Sequence, residues 1–151
     1  MKAMVEGVII EPLKQIIDER GKVMHMLRAD SPLFKRFGEI YFSMVSSGVV
    51  KAWKKHKLMT QHLAVPVGRI KLVLYDCREK SPTFGQIDSL EIGEHHYCLV
   101  RIPPLLWYGF QGLSSIPALI ANCTDLAHDP LEVERLESLD KAIPYKWIID
   151  D

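Results

Sequence analysis

Side chains that could carry out metal or acid–base chemistry are concentrated between Gly48 and Gly68, in the stretch GVVKAWKKHKLMTQHLAVPVG. This stretch holds four lysines and two histidines between apolar residues. Imidazole is both a metal ligand and a base near neutral pH, and an amine becomes a base when it is desolvated. A basic run can also be the solvated face of a sheet. The stretch is therefore a metal site, an acid–base site or a surface.

Length and composition limit the class of protein. A chain of 151 residues is long enough for one domain with its own core, and we expect a single domain over residues 1–151. Lys and Arg together number 19, as do Asp and Glu, so the positive field of a nonspecific nucleic-acid binder is missing. The longest apolar stretch, around residues 116–121, is far below the roughly 20 residues that cross a bilayer. Three cysteines without a CxxC pair indicate a reducing compartment, so we predict a cytoplasmic protein that binds neither nucleic acid nor membrane.

Short segments rich in Val, Ile, Leu and aromatic residues fill most of the chain, and Pro and Gly separate them. Such segments predict β-strands. In RIKLVLYD, alternation places Ile70, Leu72 and Leu74 on one face of a strand. We predict seven strands, at residues 39–45, 49–53, 61–67, 69–76, 86–92, 96–102 and 117–123.

Helical signals are few and short. The segment SPLFKRFG after Asp30 is compatible with one or two turns, and DPLEVERLESLD from Asp129 is compatible with a short helix that has Pro130 in its first turn. Many short strands at a spacing of about ten residues are typical of a sandwich or barrel. We therefore predict an all-β fold with short N- and C-terminal helical turns.

The polar residues of the opening stretch have a spacing that resembles the first motif of the cupin superfamily, which places His-x-His and then Glu on adjacent strands. The run PPLLWY resembles the turn that ends the second cupin motif. The resemblance implies a cupin-type double-stranded β-helix, the jelly roll, with Lys54, His56, Gln61 and Tyr108 at the four metal-ligand positions. An ammonium group repels a divalent cation, so this set offers one good ligand and we predict no metal.

Four further motifs occur in order: DERG at residues 18–21, DCREKSPTFG at 76–85, IPPLLWYGF at 102–110 and NCTD at 122–125. Together they resemble the dTDP-4-dehydrorhamnose 3,5-epimerases, which are metal-free cupins. The resemblance implies removal of protons from carbons 3 and 5 of a nucleotide-linked 4-keto-6-deoxy sugar and their return on the opposite face, in cell-surface polysaccharide or natural-product synthesis. It also implies a dTDP-linked sugar as the partner, no cofactor, and a homodimer in which the N-terminal segment crosses between subunits.

The residues that carry out this chemistry in the family are replaced in this sequence. Lys54 stands at the position of the histidine base, Lys51 at that of an arginine, and Ala121 at that of the proton-donating tyrosine. A desolvated Lys54 can act as the base, and so can His56, which lies on the same strand face and matches the second histidine of the R-G-x-H-x-H run of related sugar 3,4-ketoisomerases. Tyr108, on a rigid Pro-rich turn, is the candidate proton donor.

Five side chains are candidates for substrate binding. Lys51 and Gln61 lie in the same stretch as the candidate bases, and Arg20 matches an arginine that contacts the nucleotide of the neighbouring subunit in the family. Trp53 and Trp107 could stack on the thymine. The alternatives are a local ion pair between Arg20 and the acids before it, and core positions for both tryptophans.

Other charged residues are interpreted as structural or exposed. We expect Asp76 and Arg78 to form a pair that fixes the hairpin beside SPTFG, and Glu132 and Arg135 to belong to a charged surface. Two rival functions remain open. One is a catalytically silent nucleotide-sugar-binding module, and the other, less favoured, is a metal-dependent cupin oxygenase.

Overall fold

The structure, a computed structural model that describes residues 4–149, is built almost entirely of β-strands. Ten strands form two five-stranded sheets, in the orders β1-β9-β6-β11-β4 and β12-β5-β10-β7-β8, and β2 and β3 form a separate hairpin. The strands are β1 Ile9–Pro12, β2 Gln15–Asp18, β3 Gly21–Met24, β4 Glu39–Val45, β5 Val50–His56, β6 Gln61–Val67, β7 Arg69–Asp76, β8 Ile87–Gly93, β9 Cys98–Ile102, β10 Leu106–Gly112, β11 Ala118–Thr124 and β12 Val133–Arg135. Two antiparallel sheets around one core form a jelly roll, so the predicted fold is confirmed.

The main core lies between the two sheets. Ile70, Leu72 and Leu74 on β7 are completely buried, and they pack in one cluster with Val100 from β9 and Ile120 from β11. The face predicted from the alternation in RIKLVLYD is therefore confirmed. Burying a side chain of this size contributes about 1.5–3 kcal/mol, so this cluster fixes how the sheets face each other.

A second hydrophobic cluster covers the other face of the sheet that contains β5. Trp53, Val73 and Trp107 pack there against Ile143 and Trp147. The C-terminal segment that follows β12 thus lies across this sheet. No helix in the described part of the chain is long and apolar enough to cross a membrane.

The seven predicted strands match observed ones closely, but five observed strands, β1, β2, β3, β10 and β12, were not predicted. The predicted strands at 39–45, 61–67 and 69–76 coincide with β4, β6 and β7, and the other four differ by one to three residues at an end. β10 was not predicted, because its sequence LWYGFQG contains two glycines typical of turns. Tyr108, which was predicted to lie on a Pro-rich turn, lies inside this strand. Gly109 is needed inside this strand, since a Cβ there would lie 2.4 Å from the Cβ of Ala52.

The helix predicted from Asp129 is wrong beyond its first turn. Residues Pro130–Glu132 form a single 3-10 turn, in which the Asp129 side chain accepts a hydrogen bond from the Leu131 amide at 3.0 Å. The chain then extends as β12, because pairing with β5 satisfies its backbone groups. The segment after Asp30 makes one hydrogen-bonded turn, from the Phe34 amide to the Ser31 carbonyl at 3.1 Å.

Candidate active site

A cavity of about 620 Å³ lies between the two sheets, a size within the range of about 300–1,000 Å³ that is usual for small-molecule sites. Strands β4, β6 and β11 supply one wall, β5 and β10 supply the facing wall, and the segment from Arg135 to Asp140 closes one side. Leu63, Phe110 and Ile120 provide apolar surface. The polar side chains that line it include Tyr41, Lys51, Lys54, Tyr108, Asn122, Arg135, Glu137 and Asp140.

Lys54 and Tyr108 are neighbours on the β5–β10 wall. Their Cα atoms are direct partners in the antiparallel ladder, and both side chains line the cavity. Lys54 is half-buried, and burial together with the charges of Arg135 and Lys51 lowers the pKa of its ammonium group. A lysine in this setting releases its proton more readily than one in water does, so Lys54 is suited to accept a proton from a ligand.

Tyr108 keeps its proton. The side chain is only 5% exposed, and burial and the nearby Tyr41 raise the pKa of its phenol well above the usual range. The hydrogen bond with the Gln61 side chain lowers the pKa of the phenol, because an amide that donates to the phenol oxygen favours its ionised form. The Tyr108 hydroxyl is therefore a neutral group that can donate a hydrogen bond or a proton into the cavity.

A hydrogen-bonded network connects Tyr108 to the facing wall. Gln61 Oε1 accepts a hydrogen bond from Asn122 Nδ2 at 2.9 Å, and the same amide nitrogen donates to the Tyr41 hydroxyl at 2.9 Å. Burial raises the pKa of Tyr41, so this phenol is also neutral. Two phenols on opposite walls are thus held by two side-chain amides.

His56 lies behind Tyr108 and does not line the cavity. The two rings stack with centroids 6.1 Å apart. His56 Nδ1 is hydrogen-bonded to Glu132 Oε1, and both residues are more than nine-tenths buried. Within residues 4–149, His56 Nε2 has no hydrogen-bond partner. Lys54 and His56 do point to the same side of β5, as alternation predicts, but only Lys54 reaches the cavity surface.

The interpretation of Glu132 as a surface residue is wrong. Its second carboxylate oxygen accepts hydrogen bonds from the amides of Leu58 and Met59, at 3.1 and 3.0 Å. Burial alone would raise the pKa of Glu132, but the hydrogen bonds from His56 and from these two amides hold it below its usual value. The carboxylate therefore fixes the 3-10 turn and the start of β12 against the end of β5.

Cationic and acidic side chains both line the cavity near Lys54. Lys51 Nζ donates to the Met44 carbonyl at 2.6 Å, and Arg135 is exposed at the edge of the cavity. Glu137 and Asp140 also line it. Cationic groups beside an apolar pocket suit an anionic ligand with an apolar part.

The candidate binding residues are spread over the molecule. Lys51 lines the cavity, and Gln61 contacts it through Tyr108. Trp53 borders the cavity, but its indole lies in the second cluster and donates to the Ser138 carbonyl at 3.2 Å. Trp107 packs on the outer face of the sheet, with Lys55 Nζ 5.0 Å from the centre of its ring. Both tryptophans thus occupy core positions, which was the alternative to stacking on the thymine.

Arg20 lies at the tip of the β2–β3 hairpin and does not line the cavity of its own chain. It forms an ion pair with Asp18 at 2.6 Å, and its side chain is 84% exposed. The local ion pair that was the alternative for Arg20 is therefore present, and the arginine remains accessible.

The prediction that Asp76 and Arg78 fix the hairpin is confirmed. Asp76 is completely buried and accepts hydrogen bonds from Arg78, Ser81 and Thr83, at distances from 2.6 to 3.0 Å. Burial alone would raise its pKa, but these hydrogen bonds hold the pKa well below the usual range. Among residues 4–149, no three His, Cys, Asp or Glu side chains are grouped as a metal ion would require.

The sequence interpretation missed Tyr41, Asn122 and Arg135. A signal for Tyr41 was available, because EIYFSMV alternates and places Tyr41 and Ser43 on the face opposite three large apolar residues. Asn122 was recognised only as part of the NCTD motif, without a role of its own. For Arg135, no local signal exists, since its position at the cavity depends on pairing with β5.

This chain is similar to several known proteins, both in sequence and in structure. The sequence model described as dTDP-4-dehydrorhamnose 3,5-epimerase matches residues 2–151. The "Probable low-salt glycan biosynthesis epimerase Agl13" of Haloferax volcanii is 38% identical over 120 residues, which cover 78% of this chain and 77% of that protein. The "Spore coat polysaccharide biosynthesis protein SpsL" of Bacillus subtilis is 31% identical over 146 residues, which cover 95% and 97%. A crystal structure of a dTDP sugar isomerase from Desulfovibrio desulfuricans G20 is 54% identical and superposes with a TM-score of 0.93, over 95% of this chain and 92% of that one.

Proposed function

Since the chain belongs to the dTDP-4-dehydrorhamnose 3,5-epimerase family, we propose that it epimerises or isomerises a dTDP-linked 4-keto-6-deoxy sugar in polysaccharide biosynthesis, by removing and returning protons beside the ketone. One observation carries the proposal. Lys54 and Tyr108 are adjacent in one cavity, and their surroundings lower the pKa of the Lys54 ammonium group and raise the pKa of the Tyr108 phenol. A base and an acid with separated pKa values are what this reaction needs.

Lys54 is the proposed base. A hydrogen on the carbon next to a ketone is acidic because the anion that remains is an enolate, and Lys54 takes this proton as a neutral amine. Tyr108 stands beside it and donates a hydrogen bond to the enolate oxygen or returns a proton. His56, held by Glu132 behind Tyr108, is the alternative base, and its Nε2 would have to reach past the phenol ring.

Inversion at carbon requires that the proton return from the opposite side of the sugar ring. Tyr108 and Lys54 belong to the same wall, so neither reaches both sides of a ring lying between the sheets. Tyr41 is on the facing wall, and Asn122 holds its hydroxyl. We assign Tyr41 as the donor for inversion and Tyr108 as the donor for same-side transfer.

The charges at the cavity support a nucleotide-linked substrate. A diphosphate binds well to groups such as Lys51 and Arg135, because charge-assisted hydrogen bonds are stronger than neutral ones. Glu137 and Asp140 can accept hydrogen bonds from sugar hydroxyl groups. In this arrangement Trp53 supplies the apolar edge near the cavity and Trp107 acts only through the cluster beneath it.

Incubation with a dTDP-4-keto-6-deoxy sugar in deuterated water tests the proposal. We expect deuterium at the ring carbons beside the ketone, and a loss of about 10²–10⁴-fold in the rate of incorporation for Lys54→Gln. Lys55→Gln is the matched control, since this lysine lies one position away on the opposite face. If His56→Gln abolishes incorporation and Lys54→Gln leaves it intact, the base has been assigned to the wrong residue.

The rival function is a binding module without turnover, because the base and donor positions of the family are changed. Binding of dTDP with no deuterium in any added 4-keto sugar would favour that function and contradict catalysis. Titration calorimetry with dTDP, run beside the exchange experiment, separates the two results. Binding that is lost in Lys51→Gln would still assign the cationic wall to the diphosphate.

We also propose a homodimer in which Arg20 contacts the partner's ligand. The face of β4 that points away from the cavity carries Ile40, Phe42 and Met44, each more than half exposed, which is unusual for an edge strand in contact with water. Light scattering should give twice the chain mass of 17.3 kDa, and Phe42→Asp should reduce the measured mass to that of a single chain. Arg20→Ala should weaken dTDP binding without changing the mass, and unchanged binding would place Arg20 outside the site.

A further inference from the structure

Two lysines that are adjacent on β5 meet opposite partners on β12. In the antiparallel ladder, Lys55 is paired with Glu134 and Lys54 with Arg135. The first pair faces outward and forms an ion pair at 3.1 Å. The second pair lines the cavity and joins two like charges. Side chains directly opposite in such a ladder have Cβ atoms about 4.5–5.5 Å apart, so like charges on them repel each other.

No carboxylate in the described part of the chain forms an ion pair with either member of this pair. Among residues 4–149, neither Lys54 nor Arg135 has an ion-pair partner within 4.0 Å. The groups that share the cavity with Lys54 are cationic Lys51 from β5, neutral Tyr108 and Tyr41 from β10 and β4, and acidic Glu137 and Asp140 from the C-terminal segment. Like charges directly opposite in a sheet are destabilising, so this pair is a cost to the fold that a surface pair would not carry.

The backbone holds the pair in place. Glu132 is buried, and its carboxylate is bonded to His56 and to two amides at the end of β5. The 3-10 turn and β12 are therefore anchored immediately before Arg135. The guanidinium stays protonated under all ordinary conditions, so only Lys54 can relieve the repulsion by losing a proton.

We propose that Arg135 acts through its charge as a positioning residue that keeps the Lys54 amine in its unprotonated, proton-accepting form. The inference rests on the proposed function, in which the neutral amine of Lys54 is the base. A diphosphate in the cavity would favour the ammonium form of Lys54, and Arg135 offsets this effect. Burial and the charges of Arg135 and Lys51 all lower the pKa of Lys54.

The pH dependence of deuterium incorporation tests the inference. Activity that needs a neutral lysine rises with pH through the pKa of that lysine. In Arg135→Gln we expect this rise to move up by about one pH unit, which is roughly a tenfold loss of rate on its acidic side. Arg135→Lys should keep the rise where it is in the parent protein. Glu134→Gln, which changes the neighbouring outward residue of the same strand, is the control and should leave it unmoved.

A second measurement needs no substrate. Brief labelling with acetic anhydride over a range of pH, followed by fragment-ion mass spectrometry, gives the reactivity of Lys54 with Lys55 as the internal reference. We expect the reactivity of Lys54 to rise at lower pH than that of Lys55, and this difference to shrink in Arg135→Gln. Labelling that is unaffected by Arg135→Gln overturns the inference even if the enzyme is active. A shrunken difference in a protein without exchange activity upholds the inference and contradicts the proposed function.

Discussion

Charged side chains are treated in opposite ways in two regions of the same sheet, the Asp76 cluster at the end of β7 and the cavity beside β5. In the cluster, one buried carboxylate receives hydrogen bonds from Arg78, Ser81 and Thr83, and each contact closes the turn that follows the strand. In the cavity, Lys54 and Arg135 stand opposite each other without a carboxylate between them. Charge that is satisfied within the chain holds the backbone, whereas charge that is left unsatisfied is available to a ligand.

Asp76→Ala should give the largest effect on stability. The change leaves Arg78 partly buried without its anion and removes the acceptor of two hydroxyl groups, so we expect a loss of about 3–5 kcal/mol in the free energy of unfolding. Urea denaturation followed by tryptophan fluorescence measures it. Glu91→Gln is the control, because the Arg69–Glu91 pair is exposed and should contribute at most about 1 kcal/mol. Equal losses in both variants would contradict the structural role of the cluster.

The same carboxylate makes stability depend on pH. The pKa of Asp76 is held low in the folded protein, so the unfolded chain takes up this proton first as the pH falls. The contribution is present above the ordinary Asp pKa of about 3.9 and is lost progressively below it. We expect the stability of the parent protein to fall more steeply below that pH than the stability of Asp76→Asn. Parallel acid titrations of the two proteins check this.

Removing single hydroxyl groups from the cavity should affect turnover and leave the fold nearly unchanged. Tyr108→Phe should slow deuterium incorporation by about 10²-fold, because a positioned proton donor contributes that much or more. Tyr41→Phe should retain incorporation on the Lys54 side and lose inversion, since it removes the donor on the facing wall. Proton NMR of the product distinguishes exchange from inversion. A Tyr41→Phe enzyme that still inverts would assign the return of the proton to another group.

Glu132→Gln should have an intermediate effect on stability. The amide keeps the shape but loses the charge that binds His56 and the two amides beside β5, so we expect a loss of about 1–3 kcal/mol. Thermal unfolding measures the change. If β12 also becomes less well held, the labelling of Lys54 should approach that of Lys55. Stability equal to that of the parent protein would mean that the buried carboxylate is not an anchor.

Patterns local in sequence predicted most of the fold. The alternation in RIKLVLYD placed Ile70, Leu72 and Leu74 in the core, because the side chains of a strand have a period of two whatever the strand pairs with. The same rule failed at β10. There Gly109 is fixed by its close approach to Ala52 on the neighbouring strand, and no residue near it in sequence reveals that contact.

The candidate site was predictable only in part, for the same reason. Lys54 and Tyr108 were identified from their types and motif positions, and the structure brings them together. Glu132 and Arg135 were read as a charged surface because their neighbours in sequence are charged. Glu132 is hydrogen-bonded to His56, which lies 76 residues earlier in the chain. A single sequence contains no local pattern that reveals a contact over such a separation.

The smallest predicted effect concerns the β5–β12 ladder, where the oppositely charged pair of Lys55 and Glu134 lies next to the like-charged pair of Lys54 and Arg135. In a double-mutant cycle with Lys55→Gln and Glu134→Gln, we expect a favourable coupling of about 0.2–1 kcal/mol at neutral pH, as for other partly exposed ion pairs. The cycle with Lys54→Gln and Arg135→Gln should give no favourable coupling at neutral pH, and an unfavourable one as the pH is lowered, because protonation of Lys54 restores the repulsion. Urea denaturation at two pH values measures both. A favourable coupling between Lys54 and Arg135 at either pH would contradict the predicted repulsion between these two side chains.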